Sequence, residues 1–156
     1  MKALHYLTVQ DLLWINLQVL NKVRGYQFAR LEEATFYQYA YGESSNLLPQ
    51  AARFFPGFVR LKPFEVGNEA TTFVAGLAFL TINGQHLKLK DSEGVEWFDH
   101  AIQTVLALKT IEGIAQPDEH AHHSQQGPNI RAAIRAVIDA YPQTVAALVA
   151  RSAAVA

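Results

Sequence analysis

Lys62, Glu65, Asn68 and Glu69 stand close together around Gly67, in the stretch Leu61-Lys62-Pro63-Phe64-Glu65-Val66-Gly67-Asn68-Glu69-Ala70-Thr71-Thr72. A Pro-Phe turn leads into Gly67-Asn68, and an apolar run then begins at Phe73. Such a turn points backbone N–H groups at whatever sits above the start of a helix, and the chemistry that suits them is phosphate binding. A second cluster, Asp118-Glu119-His120-Ala121-His122-His123, offers imidazole and carboxylate, which are ligands for zinc and nickel. His120 and His123, or Glu119 and His123, would share a face on a helix. Pro117, Gln125-Gln126 and Gly127-Pro128 instead flank them as an exposed flexible loop would, and no other histidine completes a site. His120, His122 and His123 are therefore weak metal candidates only. Scattered His5, His86 and His100 read as surface or satisfied core groups.

Several chemistries are excluded by composition. The chain has no cysteine, so disulfides, thiolate catalysis and cysteine-based zinc sites are out. A formal net charge of −1 makes no electrostatic case for nucleic acid or an anionic membrane. Arg131 and Arg135 give one mildly basic helix face without the aromatic interleaving that single strands need. Met1 to Tyr6 lacks the apolar core of a signal peptide, and no apolar run is long enough to span a bilayer, so a cytoplasmic protein is expected. With 156 residues, half of them hydrophobic, the chain can bury a real core.

The elements that must position these residues are helical. Thr8 with Asp11 makes a variant capping box, and the helix it opens runs to a closing Arg24-Gly25, with Trp14 on its buried face. A second helix covers 29–41, where Phe36, Tyr37, Tyr39 and Tyr41 read as core plus a partly wet face rather than a binding platform. A third helix starts near Pro49 and is expected to kink or break at Pro56-Gly57. The central helix ends at Asn83-Gly84, and 85–90 is an extended connector. Asp91-Ser92 caps a helix running through Ile111. After the break at 116–129, helix resumes at about Ile130, and Pro142 starts a last alanine-rich one. With no repeat and hardly any strand signal, the fold class is all-α, about seven helices around a central apolar helix. The divisions are 1–115, a loop at 116–129, and a helical extension at 130–156 on the same domain.

Lys62-Pro63-Phe64-Glu65-Val66-Gly67-Asn68-Glu69-Ala70 resembles a degenerate copy of the Fic/Doc motif, H-P-F-x-(D/N)-G-N-(G/K)-R. Tyr6 to Leu13 resembles the opening of death-on-curing (Doc-type) proteins. Ala51 to Val59 resembles the helix leading into their motif, and Phe79 to Gly84 the end of their central helix. Four fragments in order, over about residues 6–110, make the resemblance specific for fold. The resemblance implies transfer of an adenylyl or phosphoryl group from a nucleotide to a protein hydroxyl, with ATP and Mg²⁺, in proteins that an antitoxin holds in check.

By the same resemblance the catalytic base would stand at Lys62, the metal-binding carboxylate at Val66 and the phosphate-binding arginine at Ala70, with a second arginine at Phe73. Lysine is protonated at neutral pH unless strongly desolvated, and valine and alanine coordinate nothing. Pro63, Phe64, Gly67 and Asn68, which shape the loop, survive, while Glu69 brings negative charge where phosphate would lie. The leading expectation is a catalytically impaired Fic/Doc-like protein that needs no cofactor. It would bind a protein partner, such as an antitoxin-like amphipathic helix. The alternative is a divergent transferase in which Lys62, Glu65 and Asn68 rebuild a nucleotide site. A third reading is a metal-responsive regulator using the histidine loop.

Overall fold

Between Phe73 and Leu80 no residue is polar, and a helix that is apolar all round has no side to offer water. In the computed structural model, which describes residues 4–22, 24–39, 46–118 and 127–153, this run lies inside α4 (Asn68–Ile82). Every residue of α4 from Ala70 to Leu80 is buried. Around it pack α1 (Val9–Leu20), α3 (Leu47–Leu61), α7 (Ile130–Ala140) and α8 (Pro142–Ala153). Helices α2 (Phe28–Phe36), α5 (Gly94–Ala101) and α6 (Ala107–Glu112) complete the layer, α2 and α6 mainly against α3. The fold is all-α, with eight helices and one two-stranded ribbon among the described residues. Its centre is aromatic: Phe55 and Phe73 both meet Trp97 and Phe98 edge-on, and Phe73 meets Tyr141.

Polar side chains fasten the irregular entry segment to this bundle. The Leu7 N–H donates to Gln38 Oε1 at 2.8 Å, and Gln38 Nε2 donates back to the Leu7 carbonyl at 2.7 Å. Asn83 treats His5 in the same way, at 2.7 and 2.9 Å. Each amide replaces the neighbouring strand that the segment lacks. The Thr8–Asp11 capping box is present in full.

Several boundaries depart from the sequence reading. Helix α1 ends at Leu20, because Asn21 takes the left-handed cap (φ 57°) four residues before Gly25; asparagine is the usual substitute for glycine there. Pro56 does not break α3, which runs unbroken for 15 residues. The lost N–H bond is offset by packing on both sides: Pro56 is buried, and Gly57 lets the Tyr37 ring lie directly on the helix. What reads as one helix to Ile111 is two, separated by turns at 102–106 in which Val105 is 94% exposed. The extended connector is strand β1 (Gln85–Leu87), paired antiparallel with β2 (Ala115–Pro117), with His86 opposite Gln116. Three-residue strands carry too little alternation to be read from sequence. Helices α7 and α8 pack on α4 itself. Trp14 is half-buried against the core with the Arg131 guanidinium 4.6 Å over its ring. Phe36 and Tyr39 stay 56% and 42% exposed, and Tyr41 lies outside the described residues.

Candidate functional site

The loop at the start of α4 is built by its own backbone and two asparagines. Helix α3 stops at Lys62, whose φ of 47° turns the chain out of the helix. Pro63 and Phe64 then run beside residues 24–27. The Gln27 N–H donates to the Pro63 carbonyl and the Glu65 N–H to the Gly25 carbonyl, both at 2.9 Å, with Tyr26 and Phe64 forming a single antiparallel bridge. The Asn68 amide closes the loop on itself, Oδ1 accepting from the Phe64 N–H at 2.9 Å and Nδ2 donating to the Phe64 carbonyl at 2.8 Å. Gly67 has φ of 84°, which a side chain rarely tolerates, and a Cβ there would also press on Asn16 and Leu20 at 3.2 Å. Asn16, 4% exposed, holds the underside: its Nδ2 donates to the Val66 carbonyl and to Thr71 Oγ1, each at 3.1 Å.

The sequence-selected residues occupy this loop unevenly. Lys62 is exposed at the end of α3, and Pro63 and Phe64 are buried. Glu65 is exposed and turned toward the 24–27 segment, where its Oε2 accepts the Gly25 N–H at 3.2 Å. Val66 is half-buried, and its carbonyl accepts from Asn16. Ala70 and Phe73 are both fully buried, so the two positions matched to arginines are core positions here. The Glu65 and Asn68 side chains thus bind different backbone groups, those of Gly25 and Phe64. His5, His86 and His100 are exposed. His120, His122 and His123 lie outside the described residues.

Glu69 has a partner that lies 82 residues away. Arg151, in the last turn of α8, donates from Nε to Glu69 Oε1 at 3.1 Å and from Nη2 to Oε2 at 2.7 Å. Its Nη2 also lies 2.9 Å from Asp99 on α5, with Nη1 3.2 Å from the other Asp99 oxygen. The fork-to-fork geometry is the strong form of a charged hydrogen bond. Hydrogen bonding to Glu69 first, then to Asp99, raises the Arg151 pKa above its already high range despite partial burial. The Glu69 carboxylate stands in the first turn of α4, where the helix dipole favours an anion and no side chain caps the helix.

Comparison of the chain with protein-family models, with curated proteins and with solved structures found no match in any of the three.

An anion-favouring helix start meets a carboxylate from its own chain, and that carboxylate meets an arginine from the last helix. One guanidinium serves two carboxylates, so the cluster keeps a net negative charge in the place where the loop sequence suggests phosphate. Two residues essential to this arrangement escape sequence reading. Asn16 carries a faint signal, a polar residue one place after the buried Ile15 of α1. Arg151 carries none, because nothing local distinguishes it from a solvated arginine in an alanine-rich helix.

Proposed function

We propose that this chain is a Fic/Doc-like protein of the death-on-curing type that has lost nucleotide-dependent transfer and works in the cytoplasm by binding a protein partner. The carrying observation is the Glu69–Arg151 pair. A phosphate approaching the first turn of α4 meets the Glu69 carboxylate, and the guanidinium that could attract it is already shared between Glu69 and Asp99. Lys62, Val66 and Ala70 supply neither base, nor metal ligand, nor phosphate cation, and catalytic groups of this kind act as a unit. The loop retains a mechanical role, since Phe64, Gly67 and Asn68 set the start of the central helix. Exposed rings on α2, with Phe28 58% and Phe36 56% exposed, leave apolar surface for a partner such as an amphipathic, antitoxin-like helix.

Titration with ATP and with ADP in the presence of Mg²⁺ tests the reading. Calorimetry on the wild-type chain should show no saturable heat with either nucleotide at millimolar concentration. Saturable binding in the micromolar range would overturn the proposal and favour the divergent transferase. Replacing Lys62 by His and Val66 by Asp, together with Glu69→Gly, restores two family groups and removes the opposing charge without disturbing buried Ala70. Recovery of nucleotide binding in that variant would show that only those groups were lost.

A further inference from the structure

Outside the loop's own contacts, Phe64 helps to line a cavity of about 310 Å³ between α1, the 24–27 segment and α7. Trp14, Tyr26 and Phe64 give it three aromatic walls, and Asn16 is the buried polar group among its lining residues. Arg24 and Arg131 are its charged groups among the described residues, and Asp11 stands behind Arg131. With Arg131 paired to Asp11, the unpaired positive charge at the cavity is that of Arg24.

The two arginines differ in how far they are already used. Arg131 stacks on Trp14, and its Nε lies 3.4 Å from Asp11 Oδ1, yet its side chain remains 47% exposed. Asp11 is itself occupied in capping α1, its Oδ2 taking the Thr8 N–H and hydroxyl. Arg24 is exposed and makes no ion pair among the described residues. Tyr26 is 46% exposed, an aromatic ring left in water beside an unneutralised guanidinium. With Arg131 over one face of Trp14 and the Tyr26 ring open beside Arg24, the lining matches a flat ring carrying a carboxylate: the ring stacks on Tyr26 against the Trp14 edge, and the arginines take the oxygens. The volume sits at the lower end of the roughly 300–1,000 Å³ of small-molecule sites, enough for one or two fused rings.

We propose that this cavity binds a small aromatic carboxylic acid, with its ring among Trp14, Tyr26 and Phe64 and its carboxylate on Arg24 and Arg131. The site is separate from the Glu69–Arg151 pair and does not depend on the reading of the loop. Benzoate, phenylacetate and indole-3-acetate serve as probes against the full-length protein, followed by calorimetry and by the Trp14 indole N–H resonance in a ¹H–¹⁵N spectrum. At least one should bind saturably with Kd below about 1 mM, and its neutral amide should bind about tenfold or more weakly. Arg24→Gln, at an exposed position, should weaken the acid about tenfold while leaving thermal stability unchanged, and Arg131→Gln should also weaken the acid. No saturable binding by any of the three acids at 5 mM would overturn the proposal, as would equal affinity for acid and amide or an unaltered Kd in Arg24→Gln. Binding of a tryptophan-containing acidic peptide at Trp14, with none by the free acids, would also overturn it and assign the groove to a protein partner.

Discussion

Arg151 in the last turn of α8 grips both carboxylate oxygens of Glu69 in the first turn of α4, at 3.1 and 2.7 Å. The contact joins the C-terminal end of the chain to the start of its central helix. It also places a fixed cation–anion pair above the loop whose sequence most suggests phosphate chemistry.

Arg151→Ala should lower stability by about 1 kcal/mol, the scale of a partly exposed bidentate pair, with Tm falling by roughly 2–4 °C. Combined with Glu69→Gln in a double-mutant cycle, it should show a coupling of at least about 0.5 kcal/mol, reduced in high salt. Additive losses would mean that the two side chains do not interact in solution.

Asp91 caps α8 from a distant segment, receiving the Thr144 N–H at 2.9 Å, the Gln143 N–H at 3.0 Å and the Thr144 hydroxyl at 2.9 Å. Burial pushes its carboxyl up, but these bonds outweigh it and hold the pKa below the usual aspartate value. A depressed carboxylate contributes its stability in full above the unfolded pKa, about 3.9, and loses it as pH falls through the folded value. Asp91→Ala should therefore cost about 1 kcal/mol at pH 7 and leave a smaller stability loss between pH 4 and pH 2 than in the wild type. Denaturant titrations across that range read both effects, and an unchanged acid limb would contradict the assignment.

At Gly76, mid-way along α4, a Cβ would fall inside the Phe55 ring of α3. Alanine is the better helix former by about 1 kcal/mol, so in isolation Gly76→Ala should stabilise. Here overpacking should win, with a net loss of about 1–3 kcal/mol. Adding Phe55→Leu should recover part of that loss, as thermal melts of the single and double variants would reveal.

Asn68→Ala removes both side-chain bonds that close the 64–68 turn. It should cost about 1–3 kcal/mol because the Phe64 backbone groups are left without their partner. Amide exchange should speed up at Phe64 before it does in the middle of α4. Uniform acceleration along α4 instead would mean that the turn is not a separate latch.

Local chemistry made much of this legible. The apolar run from Phe73 to Leu80 dictates a buried central helix, Thr8-Val9-Gln10-Asp11 dictates a capped start, and Gly67-Asn68 dictates a turn before α4. Each of these depends on neighbours within a few residues, so a periodicity or a cap expresses it. Pro56 misleads because the cost of a proline is local while its compensation, the packing of α3 on α4 and of Tyr37 on Gly57, is not. The break between α5 and α6 and the Gln85–Leu87 pairing with Ala115–Pro117 are likewise decided by contacts across the fold.

The sequence by itself determined that a glycine turn flanked by Lys62, Glu65 and Glu69 precedes a buried helix. Only the tertiary structure decided what became of the Glu69 charge. Glu69 could have faced solvent, a ligand or another helix, and those outcomes differ by the position of one residue 82 places along the chain. An ion pair between distant residues leaves no periodicity in the sequence, because its two halves are brought together by the packing of α8 on α4 and α5.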